Sequence, residues 1–334
     1  MKFNPINQII LFGGSPLMLE VAKFLKSIDM MYIVYTSPRQ ADEIIDQHKN
    51  SLRDKLLENK INFIESEDIN REKGLLKNIT KNTLGLGLGE AWPFSSKIIE
   101  LFSGRLLDFM GIPHPKYRGG AHYSWMILNN NFEGGCNIQI VNEFMIQGEF
   151  DNGEIVKSKK YKFPKNARIP IDFFNAAIPI EIKFIKEFIN EIKSKKIFSF
   201  KKINENKSLF FPRQNTLVNG WINWEWDGAQ IEKFICAFDE PYKGASTLIS
   251  GKRVHLKSCS LEKTISYHPY LSGLVLRISQ HEGYVIATSS GNLIVKNIAN
   301  SSGAKINISV GDRLFTPSKK LEESLTSRIV YGSK

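Results

Sequence analysis

The chain contains 334 residues, of which 42% are hydrophobic and 24% charged, and its formal net charge is +11. This length is sufficient for two domains with separate cores, and the composition is typical of an ordinary soluble globular protein. No apolar run approaches the roughly 20 residues that span a bilayer, and the N-terminal MKFNPINQ lacks the apolar segment of a signal peptide. We therefore expect no membrane contact and a cytoplasmic location.

The positive charge is concentrated in two lysine-rich segments, Lys157–Lys165 and Lys193–Lys207. Such an excess attracts polyanions such as RNA or steers a phosphorylated small substrate. A solvated lysine-rich surface explains it equally well, because the segments contain little arginine and few aromatic residues for base stacking. The three cysteines, Cys136, Cys236 and Cys259, are scattered without metal-ligand spacing, which favours free thiols over disulfides or metal ligands.

The N-terminal part alternates strand and helix patterns. Apolar runs typical of strands are followed by segments typical of helices; the strands are Ile6–Phe12, Met31–Tyr35 and Ile61–Ile64, and the helices end near Lys26 or cover Ser51–Glu58 and Arg71–Lys81. This alternation predicts an α/β fold with a doubly wound sheet. The first turn, GGSP, can present a helix N-terminus to an anion, but it lacks G-x-G-x-x-G, so we do not expect an NAD site.

Residues Thr83–Ala91 (TLGLGLGEA) form a fourth predicted strand, in which glycines alternate. Glycine weakens a strand, so its repetition indicates that a ligand or a neighbouring element approaches the backbone closely. Both interpretations stay open at this point. A helix is predicted over Ser95–Phe102, capped by Ser95 or Ser96.

The most informative segment runs from Asp108 to Asp151. The apolar run RLLDFM ends in a turn, GIPHP, and the residues KYRGG then lead into a helical pattern. In open α/β sheets, loops of this kind at the carboxyl edge of the strands carry the chemistry. A further apolar run, Gly134–Asn142, precedes the sequence FDNGEIV, which contains Asp151.

The second half of the chain changes character. Glu154–Tyr161 has a strand pattern, and Pro170–Ile192 has apolar residues at helical spacing, so its phenylalanines are predicted to lie in a core. Lys193–Ser208 has the composition of a linker. A helix is predicted over Ile231–Phe238, and the tail after Ser318 is expected to be helical or loose.

Short runs of β type follow in the C-terminal part: Val254–Leu256, Gly273–Ile278, Tyr284–Thr288, Leu293–Ile298 and Val310–Leu314. Short strands separated by turns predict a small barrel. We predict a first domain over residues 1–200, a linker and bridging helix over 201–242, a barrel domain over 243–318 and a tail over 319–334.

Several of these segments resemble one family. Pro115–Gly119 (PKYRG) is similar to the proline-tyrosine-arginine-glycine loop of the formyltetrahydrofolate-dependent formyltransferases, which include methionyl-tRNA formyltransferase and the nucleotide-sugar N-formyltransferases. Asp151–Ile155 (DNGEI) resembles the aspartate-x-glycine motif of that family, and Phe210–Leu248 resembles its bridge into the C-terminal domain. The resemblance implies a Rossmann-like parallel sheet in an N-terminal formyltransferase domain, an OB-like β-barrel after it, and N10-formyltetrahydrofolate as the co-substrate.

The resembled family catalyses formyl transfer with an asparagine and a histidine on the strand before the loop, together with the aspartate of the D-x-G motif. In this chain Asp108 stands at the asparagine position and Met110 at the histidine position, so only Asp151 is retained. An ionised aspartate donates no hydrogen bond, and methionine cannot act as a base. We therefore expect His122 to replace the base and Asp151, His122 and Asp108 to be catalytic, with Asp108 either orienting a protonated His122 or acting as a buried neutral acid.

The resemblance also implies where the substrates bind. It places the folate along the end of the glycine-rich strand, mainly on main-chain groups, at Leu88, Gly89, Glu90, Ala91 and Trp92. It places the other substrate at Tyr117 and Arg118 of the loop, although a purely structural role there is at least as good an interpretation for both. His114, which is close by in sequence, is a further candidate for substrate binding. No metal is expected.

Three functions are weighed. The leading one is an N-formyltransferase that acts on the amino group of a nucleotide-linked amino sugar, a small-molecule substrate, without a covalent enzyme intermediate. The alternatives are a methionyl-tRNA formyltransferase with tRNA as partner, which the net charge favours, and a folate- or nucleotide-binding relative with impaired catalysis, which Asp108 and Met110 favour. A homodimer is compatible with each of them.

Overall fold

The computed structural model describes residues 3, 5–46, 48–89, 91–143, 152–263 and 265–329. The chain forms two compact units, each made of three segments. The first contains Met1–Arg118, Glu133–Lys162 and Ala176–Phe210, and the second contains Gly119–Phe132, Phe163–Asn175 and Phe211–Lys334. Two short segments within the predicted first domain are therefore part of the second unit. None of the described helices is both long and apolar enough to cross a bilayer.

The strands, in chain order, are β1 (Gln8–Gly13), β2 (Met31–Thr36), β3 (Phe63–Glu65), β4 (Thr83–Leu88), β5 (Leu106–Met110), β6 (Arg118–Gly119), β7 (Glu133–Ile140), β8 (Ile155–Lys162), β9 (Phe210–Phe211), β10 (Ala245–Ile249), β11 (Lys252–Glu262), β12 (Val275–Ser279), β13 (Gly283–Thr288), β14 (Gly291–Asn300) and β15 (Leu314–Phe315). The α-helices are α1 (Ser15–Ser27), α2 (Pro38–Ala41), α3 (Leu52–Glu58), α4 (Lys73–Asn78), α5 (Ser96–Phe102), α6 (His122–Leu128), α7 (Pro170–Lys193), α8 (Thr216–Asn219), α9 (Gly228–Ala237) and α10 (Ser318–Thr326).

The first unit is built on a seven-stranded sheet with the order β3-β2-β1-β4-β5-β7-β8. The strands from β3 to β5 pair in parallel, whereas β7 runs antiparallel to both β5 and β8. The reversal of strand order between β1 and β4 is the topology of a doubly wound sheet, in which ligands bind beyond the carboxyl ends of the strands. The structure confirms the predicted α/β class.

Apolar side chains cover both faces of this sheet. On β1, Ile9 and Leu11 contribute to one core and Ile10 and Phe12 to the other, as expected for a strand whose side chains alternate between faces. The core on the first face includes apolar residues of α1 and α7, among them the predicted phenylalanines Phe184 and Phe188, and the core on the second face includes residues of α4 and α5. A strand buried on both faces explains why the N-terminal runs are continuously apolar.

Two glycines of the first unit are required by close backbone packing. Gly13 has φ +133°, and a Cβ there would lie 2.6 Å from the carbonyl oxygen of Leu88. Gly85 lies within β4, and a Cβ there would lie 2.6 Å from Cδ1 of Leu106 and 2.9 Å from the ring of Phe102. At Gly85, the close approach inferred from the sequence is therefore made by a neighbouring element rather than by a ligand.

The second unit contains a six-stranded antiparallel sheet with the order β12-β13-β14-β11-β10-β15. Its two ends are joined by backbone hydrogen bonds: Val275 N donates to Asp312 O at 2.8 Å, and Leu314 N donates to Gly273 O at 2.8 Å. These bonds close the sheet on itself, which confirms the predicted small barrel. The last strand is shorter than predicted, because a turn with Gly311 at φ +90° occupies part of the apolar run.

Helices α6 and α9 pack together in the second unit. The hydroxyl of Ser124 on α6 donates a hydrogen bond to the carbonyl oxygen of Ala237 on α9 at 2.7 Å. The adjacent Tyr123 ring lies 5.7 Å from the ring of Phe163 and 5.8 Å from that of Phe173, measured between centroids. These contacts join the segments Gly119–Phe132 and Phe163–Asn175 to the unit that contains the barrel.

The core of the first unit contains a titratable group that makes its stability depend on pH. Glu181 of α7 is 6% exposed, and the hydroxyl of Tyr161 donates to its carboxyl at 3.1 Å. Burial raises the pKa of Glu181 to about 7, from 4.5 for a free glutamate. Because this pKa is raised on folding, stability is unaffected below pH 4.5 and is lost as the pH rises through 7, by on the order of 3 kcal/mol in full.

We therefore predict that Glu181→Gln raises the thermal midpoint at pH 8 and changes it much less at pH 5. Glutamine preserves the shape of the side chain and removes the cost of ionising it. Glu187→Gln on the exposed face of the same helix is the matched control, and its midpoint should follow that of the wild type at both pH values. Equal effects of Glu181→Gln at pH 5 and pH 8 would contradict the assignment.

Candidate active site at the carboxyl edge of the sheet

The candidate site lies where β4, β5 and β7 run side by side. Across β5, Asp108 is in register with Gly87 of β4 on one side and with Gln139 of β7 on the other. Met110 is in register with Asn137 of β7. Cross-strand partners in an antiparallel pair have Cβ atoms about 4.5–5.5 Å apart on one face of the sheet, so both amide side chains stand beside β5.

The alternation of side chains fixes the face. Leu107 and Ile138 belong to the first core, whereas Leu106 and Val141 belong to the second. Asp108 and Gln139 therefore extend from the second face, since each is two residues from a member of that core. Near the carboxyl edge this face changes from apolar to polar, with three buried polar residues: Asp108, Asn137 and Gln139, which are 5%, 1% and 2% exposed.

The orientation of the Asn137 amide is fixed by hydrogen bonds. Its Nδ2 donates to the carbonyl oxygens of Ile112 at 3.2 Å and of Met110 at 3.5 Å. A flipped amide would place Oδ1 against two carbonyl oxygens, so the orientation is well determined. Oδ1 is consequently an acceptor, and it is buried without a hydrogen-bond partner among the described residues.

Among the described residues, the amide of Gln139 lacks hydrogen bonds of the kind that orient Asn137. Its Oε1 is also buried without a partner in the described part of the chain. Leaving a buried polar group without a hydrogen bond costs on the order of 1–3 kcal/mol, and such groups are rare enough in folded proteins to require an explanation. Two of them lie on one strand, at the edge where α/β sheets bind ligands, which makes this cluster a candidate for contact with polar groups of a ligand.

Asn137 and Gln139 were not identified from the sequence. A signal was present, because two amides at positions i and i+2 interrupt the apolar run GGCNIQIV. Only the pairing of β5 with β7 shows that they stand opposite Met110 and Asp108.

His114 follows β5 in the loop. Both ring nitrogens are buried and make no hydrogen bond within the described residues. Burial, together with the positive charge of Arg118, lowers the pKa of His114 to about 4. Its imidazole is therefore neutral near pH 7, and its predicted contact with substrate stays a prediction.

His122 is the first residue of α6, as predicted, but it belongs to the second unit, whereas Asp108 belongs to the first. Burial lowers its pKa to about 4, and its Nε2 has no hydrogen-bond partner among the described residues. Near pH 7 such a low pKa leaves the imidazole of His122 neutral, because burial disfavours the charged form. Asp151 lies outside the described residues, so the catalytic pair Asp151 and His122 stays a prediction.

The predicted folate positions differ in what they present. Leu88 is buried in the first core and Trp92 in the second, where its indole N donates to Glu67 O at 3.0 Å. Gly89 has φ +76°, a Cβ added there would meet no described atom within 4 Å, and its carbonyl oxygen accepts from Gln40 Nε2 at 2.6 Å. Ala91 is half-buried, and Glu90 lies outside the described residues.

Tyr117 and Arg118 shape the loop after β5. Tyr117 is buried and has φ +61°. Arg118 begins β6, and its Nη1 donates to Glu205 at 3.0 Å and to the hydroxyl of Ser208 at 2.9 Å. These bonds hold the loop against residues 205–208, which agrees with the structural interpretation. A role of either residue in substrate binding stays a prediction.

Comparison with known proteins agrees with this architecture. Residues 216–311 match the family model of the formyl transferase C-terminal domain. Methionyl-tRNA formyltransferase of Desulfotalea psychrophila is 26% identical over 203 residues, which are 60% of this chain and 58% of that protein. The chain thus spans less than two thirds of the length of this curated relative.

Two solved structures are similar over most of their length. The N-formyltransferase from Helicobacter canadensis, in complex with folinic acid and dTDP-3-aminofucose, has a TM-score of 0.62 and 19% identity over 88% of this chain and 99% of its own. WlaRD, a sugar 3N-formyltransferase in the presence of dTDP and 5-N-formyl-THF, has a TM-score of 0.64 and 17% identity over 88% and 98%. The identities are low, so these structures establish the fold alone. Together with the domain model matched over residues 216–311, they show that this chain is similar to formyltransferases in fold.

Proposed function

We propose that this protein is an N-formyltransferase that moves the formyl group of N10-formyltetrahydrofolate to the amino group of a nucleotide-linked amino sugar. The observation that carries the proposal is the polar cluster of Asp108, Asn137 and Gln139. It is buried at the carboxyl edge of a formyltransferase sheet, and two of its acceptor atoms have no partner among the described residues.

The reaction requires three things of the protein. An uncharged amine must be held against the formyl carbon, the charge that develops on the formyl oxygen must be stabilised, and a proton must leave the attacking nitrogen. The new C–N bond forms as the bond from the formyl carbon to N10 breaks, and N10 ends with the proton that the amine gives up. No oxidant or further reactant is needed.

The buried cluster fits the acceptor side of this reaction. Asn137 Oδ1 is a fixed acceptor and can receive an N–H of the incoming amine. Asp108 is the acidic member of the cluster, and a carboxylate can accept the proton that the attacking nitrogen loses. We propose these as their roles.

The donor is proposed to bind beside the end of β4. The space at Gly89, which is exposed, leaves the backbone there open to a flat ring system. The side chains of Leu88 and Trp92 are committed to the cores, so main-chain groups would make the contacts there. This agrees with the folinic acid and formyl-THF named for the two similar structures.

A nucleotide-linked amino sugar is favoured as the acceptor. Of the two similar structures that match almost along their whole length, one is named as a complex with dTDP-3-aminofucose, and the other is named as a sugar 3N-formyltransferase in the presence of dTDP. The tRNA enzyme is matched over 58% of its length, and the net charge of +11 is the observation that keeps tRNA as the second candidate.

The proposal is tested by incubating the protein with N10-formyltetrahydrofolate and either dTDP-3-aminofucose or methionyl-tRNA, and measuring tetrahydrofolate and formylated product by mass spectrometry. We expect product with the sugar and little with tRNA. Product with tRNA alone, at a rate that falls steeply with salt, would favour the second candidate. Binding of the donor without product from either acceptor would favour a catalytically impaired relative.

A further inference from the structure

The side chain of Gln139 has no role in the fold that accounts for its burial. It is 2% exposed, and its Oε1 is buried without a hydrogen-bond partner among the residues that the structure describes. An apolar side chain of the same length would fill the position without burying an amide. We propose that Gln139 is a catalytic residue whose carboxamide N–H donates a hydrogen bond to the formyl oxygen during transfer. This inference rests on the proposed function.

The neighbouring groups leave this task to Gln139. An ionised Asp108 cannot donate a hydrogen bond, and Met110 has no donor. The Nδ2 of Asn137 is already bound to the carbonyl oxygens of Ile112 and Met110. Within the described cluster, Gln139 is therefore the residue whose amide can turn an N–H toward the formyl oxygen.

Its position suits the charge that develops. Gln139 and Asp108 are register partners on adjacent strands, so the donor and the proposed base stand on the same face about 5 Å apart at their Cβ atoms. A formyl group held between these two side chains would have its oxygen near the amide of Gln139. The nitrogen of the attacking amine would then lie near the carboxylate of Asp108. A preorganised donor of this kind acts most strongly in a site from which water is excluded.

The amides of Asn137 and Gln139 would then bind different groups of the two substrates, according to which amide atom each presents. Asn137 presents an oxygen, which is suited to an N–H of the amine. Gln139 has no hydrogen bond that fixes which amide atom faces the site, and rotation about its last torsion can present the NH₂ group to the formyl oxygen. As the amine nitrogen bonds to the formyl carbon, the electron pair of the C=O bond moves to the oxygen, and it returns when the bond to N10 breaks.

The test is Gln139→Met, which keeps the length of the side chain and removes the donor. We expect kcat to fall by about 10²-fold, with the KM for N10-formyltetrahydrofolate nearly unchanged, because the donor is needed mainly when charge develops. The thermal midpoint should stay equal or rise, since an unsatisfied amide is removed. Gln214→Met is the matched control, because Oε1 of Gln214 is also buried without a partner among the described residues; its kcat should stay at the wild-type value.

A second measurement does not depend on turnover. With a ¹³C-labelled formyl group on the bound donor, isotope-edited infrared spectroscopy reports the polarisation of its C=O bond. The stretch should move to higher frequency in Gln139→Met than in the wild type. If the donor binds but the stretch and kcat are unchanged, the assignment of Gln139 is wrong while the proposed function stands. If the wild type does not bind the donor, both are wrong.

Discussion

Replacing Asp108 with asparagine is expected to lower kcat for formyl transfer by about 10³-fold. Asparagine has nearly the same shape as aspartate, but its amide cannot take the proton that the attacking nitrogen loses. The expectation follows from the position of Asp108 at the carboxyl edge, 5% exposed, opposite Gln139. Initial rates with saturating donor and acceptor measure the effect, and binding of folinic acid should be retained.

The substitution is informative because asparagine is also the residue that the resembled family has at this position. If Asp108→Asn matches or exceeds the wild type, Asp108 is not the base, and the predicted pair Asp151 and His122 becomes the next candidate. Asp239→Asn serves as the control for an equal substitution elsewhere. Asp239 is 1% exposed and accepts from Ser258 N at 2.6 Å and Glu240 N at 2.7 Å, so its loss should reduce stability and leave kcat unchanged.

Acidification from pH 7 to pH 4 is expected to destabilise the protein strongly through His114 and His122. Burial lowers the pKa of each to about 4, from 6.5 in an unfolded chain. In the unfolded state each imidazole therefore binds a proton below pH 6.5, whereas in the folded state it binds one only below about pH 4. Stability is intact above pH 6.5 and is lost as the pH falls through this window, by on the order of 3 kcal/mol for each ring.

His114→Phe and His122→Phe should each flatten the acid side of a plot of unfolding midpoint against pH. Phenylalanine preserves a buried ring and removes the titration. His48→Phe provides the control, because the side chain of His48 is exposed. Parallel acid profiles for the wild type and both variants would show that these rings are not held neutral by the fold. Glu181 contributes in the opposite direction over part of the window, so the comparison requires each variant beside the wild type.

The sequence was sufficient for features that depend on local pattern. The apolar run and glycine turn before α1 indicated β1 and its helix, and Ser51 caps α3 through a capping box with Asp54. The C-terminal strands are predictable from the sequence because turns separate short apolar runs. The strand β10 is not among the predicted strands, because most of it lies in the segment Phe210–Leu248, which was interpreted by its resemblance to the family's bridge. The predicted strand Val310–Leu314 was largely wrong, since apolar character at Val310 does not reveal that Gly311 begins a turn.

The candidate site depended on information that no single segment contains. Asp108 is identified from its position in the motif. Gln139 and Asn137 become site candidates only through the register of β7 against β5, which places them opposite Asp108 and Met110 in the folded sheet. Likewise, an imidazole in a sequence carries its ordinary pKa of about 6.5. The burial of His122, which lowers its pKa to about 4, depends on the folded chain and is not visible in the sequence.

The interleaving of the two units has a consequence for synthesis of the chain on the ribosome. Translation adds roughly 5–20 residues each second, and α6 emerges long before α9, on which Ser124 and its neighbours pack. For several seconds the apolar side chains of residues 119–132 and 163–175 are without the partners that residues 211–334 provide. A nascent chain in this state exposes apolar surface to which chaperones bind. A gene truncated after residue 210 should therefore yield insoluble protein.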